Sequence, residues 1–121
     1  MSHDHPAVTR PDGFAVEEQE WGRLVWMVSG ALGSSEKLTV GRCFINPGQA
    51  NPRHYHPNCD EVLHVIRGTI EHSVDDATFP MSAGDIVSIP QGSVHNARNV
   101  GTDEAEFVIV FNTPDRQTVG E

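Results

Sequence analysis

The stretch GQANPRHYHPNCDEVLHVIRG, residues 48–68, decides how this chain is read. It places His54 and His56 two residues apart and Glu61 five positions later, between Gly48 and Gly68. Residues two apart on an extended strand point the same way, so the two imidazoles share a face. Pro57 and Asn58 favour a turn. Glu61 opens the next segment, where an antiparallel return can bring its carboxylate beside the histidine pair. A second stretch, GDIVSIPQGSVHNARN at 84–99, supplies His95 from a separate strand. Three imidazoles and one carboxylate suit a divalent transition metal with coordination positions left over.

Working outward, short apolar segments alternate with turn residues. The candidate strands are 22–29, 38–45, 53–56, 61–66, 69–74, 86–89, 94–99 and 106–112. Asn46-Pro47-Gly48, Arg67-Gly68, Asp75-Asp76, Gly84-Asp85 and Pro90-Gln91-Gly92 punctuate them. Strands recurring at this spacing argue for an all-β sandwich or barrel, and no segment has a convincing helical period. Gly68 and Gly84 are expected at turns with positive φ. Pro90 ends its strand and positions the loop carrying His95, and Asn99 can pin that loop through backbone hydrogen bonds. Residues 1–20 are expected to form a flexible N-terminal arm, and 21–121 a single β-barrel domain. Val62–Ile66 and Phe107–Phe111 are apolar on both faces, which predicts cover from a second sheet or subunit.

Composition narrows the function. The chain has 121 residues, 17 acidic against 8 basic, and a net charge of −9. That balance excludes the phosphate-neutralising surface of a nucleic-acid binder and disfavours anionic membranes. The opening MSHDHPAVTRPDGF has no apolar signal-like run, no 18-residue apolar stretch occurs, and Cys43 and Cys59 form no disulfide framework. A cytoplasmic location is the expectation.

The two stretches match both motifs of the cupin family at each defining position, with fifteen residues between them. The chain resembles a small single-domain cupin over about residues 38–112. The resemblance implies a double-stranded β-helix, or jelly-roll, barrel and a homodimer. It also implies one divalent metal (Fe, Mn, Ni, Co, Cu or Zn) on His54, His56, Glu61 and His95. The family hosts many reactions, so it implies no substrate.

Parity assigns the other candidates. Leu63 and Val65 share the face of Glu61, and Ala97 that of His95, giving an apolar wall for a small-molecule substrate. Phe44 and Arg42 join the pocket if Val40, Arg42 and Phe44 face inward, where Arg42 can clamp a carboxylate. If Gly41, Cys43 and Ile45 face inward instead, Arg42 is surface. His64, Tyr55 and Arg53 are expected outward, His72 solvated, and Cys59 structural rather than a soft ligand. Trp21 and Trp26 are expected to pack an N-terminal strand across a partner subunit. His3 and His5 sit in the arm as adventitious metal scavengers.

With open metal positions and no second acid or base on the inward parity, oxygen chemistry is the leading reading: an Fe(II) dioxygenase, an oxidoreductase. Glu61 is then the catalytic candidate, acting as a base when it leaves the metal. The alternatives are a non-redox isomerase, cyclase or lyase, with the metal as Lewis acid, and a non-catalytic metal- or metabolite-binding barrel.

Overall fold

The computed structural model describes residues 5–121; His3 lies outside them. The strands are β1 (Ala15–Gln19), β2 (Gly22–Val28), β3 (Thr39–Ile45), β4 (His54–Tyr55), β5 (Glu61–Arg67), β6 (Thr69–Val74), β7 (Ala77–Ser82), β8 (Ile86–Ile89), β9 (His95–Asn99), β10 (Ala105–Phe111) and β11 (Val119–Gly120). One sheet runs β1-β2-β3-β10-β5-β8 and the other β11-β4-β9-β6-β7, with every pairing antiparallel. The all-β jelly-roll expectation holds. Among the described residues no helix is long and apolar enough to cross a membrane.

Three strands carry no clear signal in the sequence. β1 lies in the stretch expected to be a flexible arm, yet Ala15–Gln19 pairs residue by residue with Trp26–Gly22. All of its residues are exposed, and those on the cavity side, Glu17 and Gln19, are polar, so no apolar alternation marks it in the sequence. β7 contains Pro80, which lacks a ladder donor and is tolerated because β7 is an edge strand. β11 is two residues long and exists through pairing with β4.

The core lies between the sheets and follows the pleat. Cys43 and Ile45 come from β3, Leu63 and Val65 from β5, Ile70 from β6, Ala97 from β9, and Phe107, Ile109 and Phe111 from β10. Gly68 and Gly84 take φ of +93° and +98°, as the turns demand. Gly41 serves packing instead: a Cβ there would sit 2.6 Å from the Trp26 ring, so only glycine lets that indole lie against β3.

Candidate metal centre

β4 carries His54 to the edge of β9, where it pairs directly with His95, and His56 follows at the end of β4. Glu61 starts β5 in the facing sheet and is buried, as are His56 and His95, while His54 is half-buried. The ligating atoms of His54, His56, Glu61 and His95 all lie within 4.8 Å of one another.

The backbone fixes how each ring presents itself. His54 Nδ1 lies 2.7 Å from the Pro52 carbonyl, His56 Nδ1 2.8 Å from that of Gln117, and His95 Nδ1 2.9 Å from that of Ser93. A carbonyl only accepts, so each Nδ1 carries the proton and each Nε2 is directed at the cluster, the arrangement that tunes metal-bound histidines. His95 Nε2 is 2.9 Å and His56 Nε2 3.1 Å from the same oxygen, Glu61 Oε1. Two ligands about 2.1 Å from one ion and at right angles to each other would be about 3.0 Å apart. His56 Nε2 is buried without a hydrogen-bond partner among the described residues. Because its proton sits on Nδ1, its approach to Oε1 sets a lone pair against a carboxylate oxygen, an arrangement that a shared cation relieves. A single divalent transition metal therefore fits the donor set.

The electrostatics agree. Burial alone would raise the Glu61 carboxyl, but the contacts with His56 and His95 outweigh it and hold the pKa at about 2. Burial lowers His54 to about 4, against the opposing Pro52 carbonyl. Burial would also lower His95, but its bond to Glu61 and the carboxylate charge raise it.

The cluster forms part of the wall of a cavity of about 410 Å³. Leu63 and Ala97 line it. Val65 does not; it is fully buried in the core. Arg42 and Phe44 fall outside the cavity because Gly41, Cys43 and Ile45 take the inward pleat. Arg42 is half-exposed, 3.8 Å from Glu106, and Phe44 is covered by the Arg23 guanidinium at 4.0 Å. Cys59 packs into the core outside the ligand cluster, and burial pushes its thiol up, so it is a protonated structural group. Arg53 reaches the cavity rim, with its guanidinium tied to Glu121, Ser73 and the Asp75 carbonyl.

Four cavity residues run against the sequence reading or escape it. His72 is fully buried, not solvated: it stacks on His95 with centroids 6.2 Å apart, and neither ring nitrogen has a hydrogen-bond partner among the described residues. Its signal is present, since Ile70, His72 and Val74 share one parity and the first is core. Trp21 and Trp26 line the cavity, a position the sequence reading does not assign them. Arg116, in the polar segment after β10, also lines it, with its guanidinium 4.1 Å from the Trp26 ring centroid. Nothing in the sequence of that segment marks it. It is held by Asn58, which donates to the Asp115 carbonyl and accepts from Gln117 N–H, both at 2.9 Å.

The cupin domain model matches residues 41–111, more than half of the chain. The chain belongs to the cupin family. It is 38% identical over 69 residues to the polyketide synthase CurC of Streptomyces cyaneus, covering 57% of this chain and 45% of that one. It is 34% identical over 111 residues to the oxalate oxidase GF-2.8 of Triticum aestivum, covering 85% of this chain and 47% of the relative. The chain thus spans about half the length of these curated relatives. Among solved structures, the Bacillus subtilis oxalate decarboxylase, a protein with Mn(II) centres, superposes with a TM-score of 0.78 at 25% identity, over 85% of this chain and 29% of its own.

Proposed function

We propose that this cupin is a metal-dependent enzyme acting on a small organic substrate, an oxidoreductase that uses dioxygen with Fe(II) in the manner of a dioxygenase. The observation that carries it is the convergence of three Nε2 atoms and Glu61 Oε1 on one wall of a largely apolar cavity. A metal held there supplies a Lewis acid and, as iron, access to dioxygen. The chain's own residues do the rest. Carbonyls of Pro52, Gln117 and Ser93 lock the imidazoles. Leu63, Ile109 and Phe111 keep water from the reacting groups, and Glu61, ionised at neutral pH, is placed to take a substrate proton. The likeness to an oxalate oxidase supports redox chemistry. The cavity, within the range of about 300–1,000 Å³ typical of drug-sized ligands, favours a substrate larger than oxalate.

A second reading, a non-redox isomerase, cyclase or lyase, is favoured by one observation. His72 gives the cavity an additional nitrogen base, on the strand face that Ile70 marks. The two readings separate in one experiment. Protein purified without chelator is assayed for metal per chain, then for oxygen uptake with a panel of enolic and hydroxyaromatic compounds. Iron-dependent oxygen uptake supports the first reading. Turnover without oxygen on zinc or manganese moves the assignment to the second, and failure to bind any of these metals on reconstitution overturns both.

We place the protein in the cytoplasm, as a homodimer. Two free buried cysteines fit a reducing compartment, and Val16, Ile66 and Ile86 present apolar surface on one sheet. A monomeric mass in light scattering would refute the dimer.

A further inference from the structure

The two arginines that line the cavity differ in what is left of their hydrogen-bonding capacity. Arg53 donates from Nε to Glu121, from one terminal nitrogen to Ser73 and from the other to the Asp75 carbonyl. Among the described residues, Arg116 donates only to Thr118 Oγ1. Its guanidinium face lies against Trp26, with Phe111 at 5.5 Å. No carboxylate of the described residues comes within ion-pairing distance of it; Glu17 and Glu61 act on it only at longer range. A planar fork stacked by its face keeps its edge donors for a ligand, and an always-charged guanidinium is suited to gripping a carboxylate by two parallel bonds.

The surroundings narrow the ligand. Trp21, Leu24, Phe107 and Ile109 complete an apolar, largely aromatic wall, which suits a flat ring system. The chain carries a net charge of −9, and Glu61 is ionised inside the cavity, so an anion entering it needs a local cation. We infer that Arg116 is a substrate-binding residue, and that the cavity takes a planar aromatic carboxylate held by its acid group at Arg116, with its reacting end toward His54, His56, Glu61 and His95. This rests on the metal-dependent reading of the site and names the substrate class for it.

The test compares 2-naphthoate with its neutral isostere 2-naphthamide. Binding is followed by quenching of Trp21 and Trp26, the chain's two tryptophans, on full-length protein with and without metal. Wild type should bind the acid about tenfold or more tightly than the amide, in both metal states. Arg116→Met should lose that preference while binding the amide within about threefold of wild type; Arg116→Lys should keep part of it, as a point charge. Arg116→Gln, uncharged but still planar, gives the same reading should the Met variant not fold. Equal wild-type affinities for acid and amide overturn the inference, as does a preference undiminished in Arg116→Met or Arg116→Gln, which would assign the acid group to another residue or to the metal. Metal per chain, measured in the same samples, reports separately on the metal-dependent reading: stoichiometric metal without an acid preference removes only the substrate class.

Discussion

Replacing His72 with Phe should flatten the pH dependence of stability. The ring is fully buried, stacked on His95 and packed against Phe79 at 5.6 Å. Burial lowers its pKa from 6.5 to about 4, with His95 adding to the shift and Glu61 opposing it. Between those values the unfolded chain binds a proton that the folded chain refuses, so the folded state loses stability as pH falls. The loss from this residue is roughly 2 kcal/mol by pH 5 and approaches about 3 kcal/mol below pH 4. His54 loses stability in the same direction and over the same window, and His95, being raised, works in the opposite direction. Glu61, held at about 2 against 4.5, withdraws its contribution only at lower pH. All three are retained in the variant and cancel in the comparison, apart from their coupling to His72. The assay is urea unfolding of chelator-treated protein at pH 7.5 and pH 5, followed by tryptophan emission. With a slope of about 1–3 kcal/mol per molar urea, the wild-type midpoint should drop by about 1 M more than that of His72→Phe. Equal drops in the two proteins would mean that His72 is not held neutral by burial, and the packing described for β6 against β9 would be wrong.

His56→Ala and His95→Ala should each strip the metal while leaving the barrel folded; full metal content in either variant by elemental analysis refutes the ligand assignment. Glu61→Gln should weaken metal binding less than loss of a histidine, and in metal-free protein it should let His95 deprotonate at lower pH, since the carboxylate is what raises it; an unshifted NMR titration counts against that coupling. Asn58→Ala unclamps Asp115 and Gln117, so the Gln117 carbonyl no longer holds His56 Nδ1; metal affinity should fall by about 10–100-fold in a competition titration. Asn99→Ala orphans the Ile45 and Asp103 carbonyls and Gly101 N–H, all within 2.9 Å of the buried amide, and should cost about 3 kcal/mol by chemical denaturation.

Whatever obeys the period of two is legible in the chain itself. Glu61 with Leu63 and His95 with Ala97 fall on single strands, and His56 directly follows the strand of His54, so counting along the sequence places each on a face. The same counting leaves Arg42 open because β3 has small or apolar residues on both parities. Tertiary context decides it: Trp26 packs over Gly41, which sends Cys43 and Ile45 inward and Arg42 out. His72 misleads because its neighbours Glu71 and Ser73 make the strand look polar, although Ile70 marks its face. Arg116 and the tryptophans cannot be placed by parity. Their positions depend on Asn58 reaching across 57 to 59 residues to the C-terminal segment, and on β1 and β2 lying beside β3.

That C-terminal segment ties the two halves of the site together. The Gln117 carbonyl orients His56 for the metal, and the preceding residue presents its guanidinium to the cavity. One short stretch, bonded at Asp115 and Gln117 by Asn58 from between His56 and Glu61, therefore sets both the direction of a metal ligand and the position of a cavity cation. A shift of the segment cannot disturb one without the other. Binding an acid at Arg116 should accordingly steady the carbonyl that fixes His56, and occupation of the four-ligand cluster should steady Arg116, because affinities linked through a shared element change reciprocally. The barrel supplies rigid walls from β5, β9 and β10, whereas Arg116, the proposed substrate contact, lies on a segment whose only strand is the two-residue β11. That division lets a common metal-binding barrel acquire a particular specificity without altering the strands that carry its ligands.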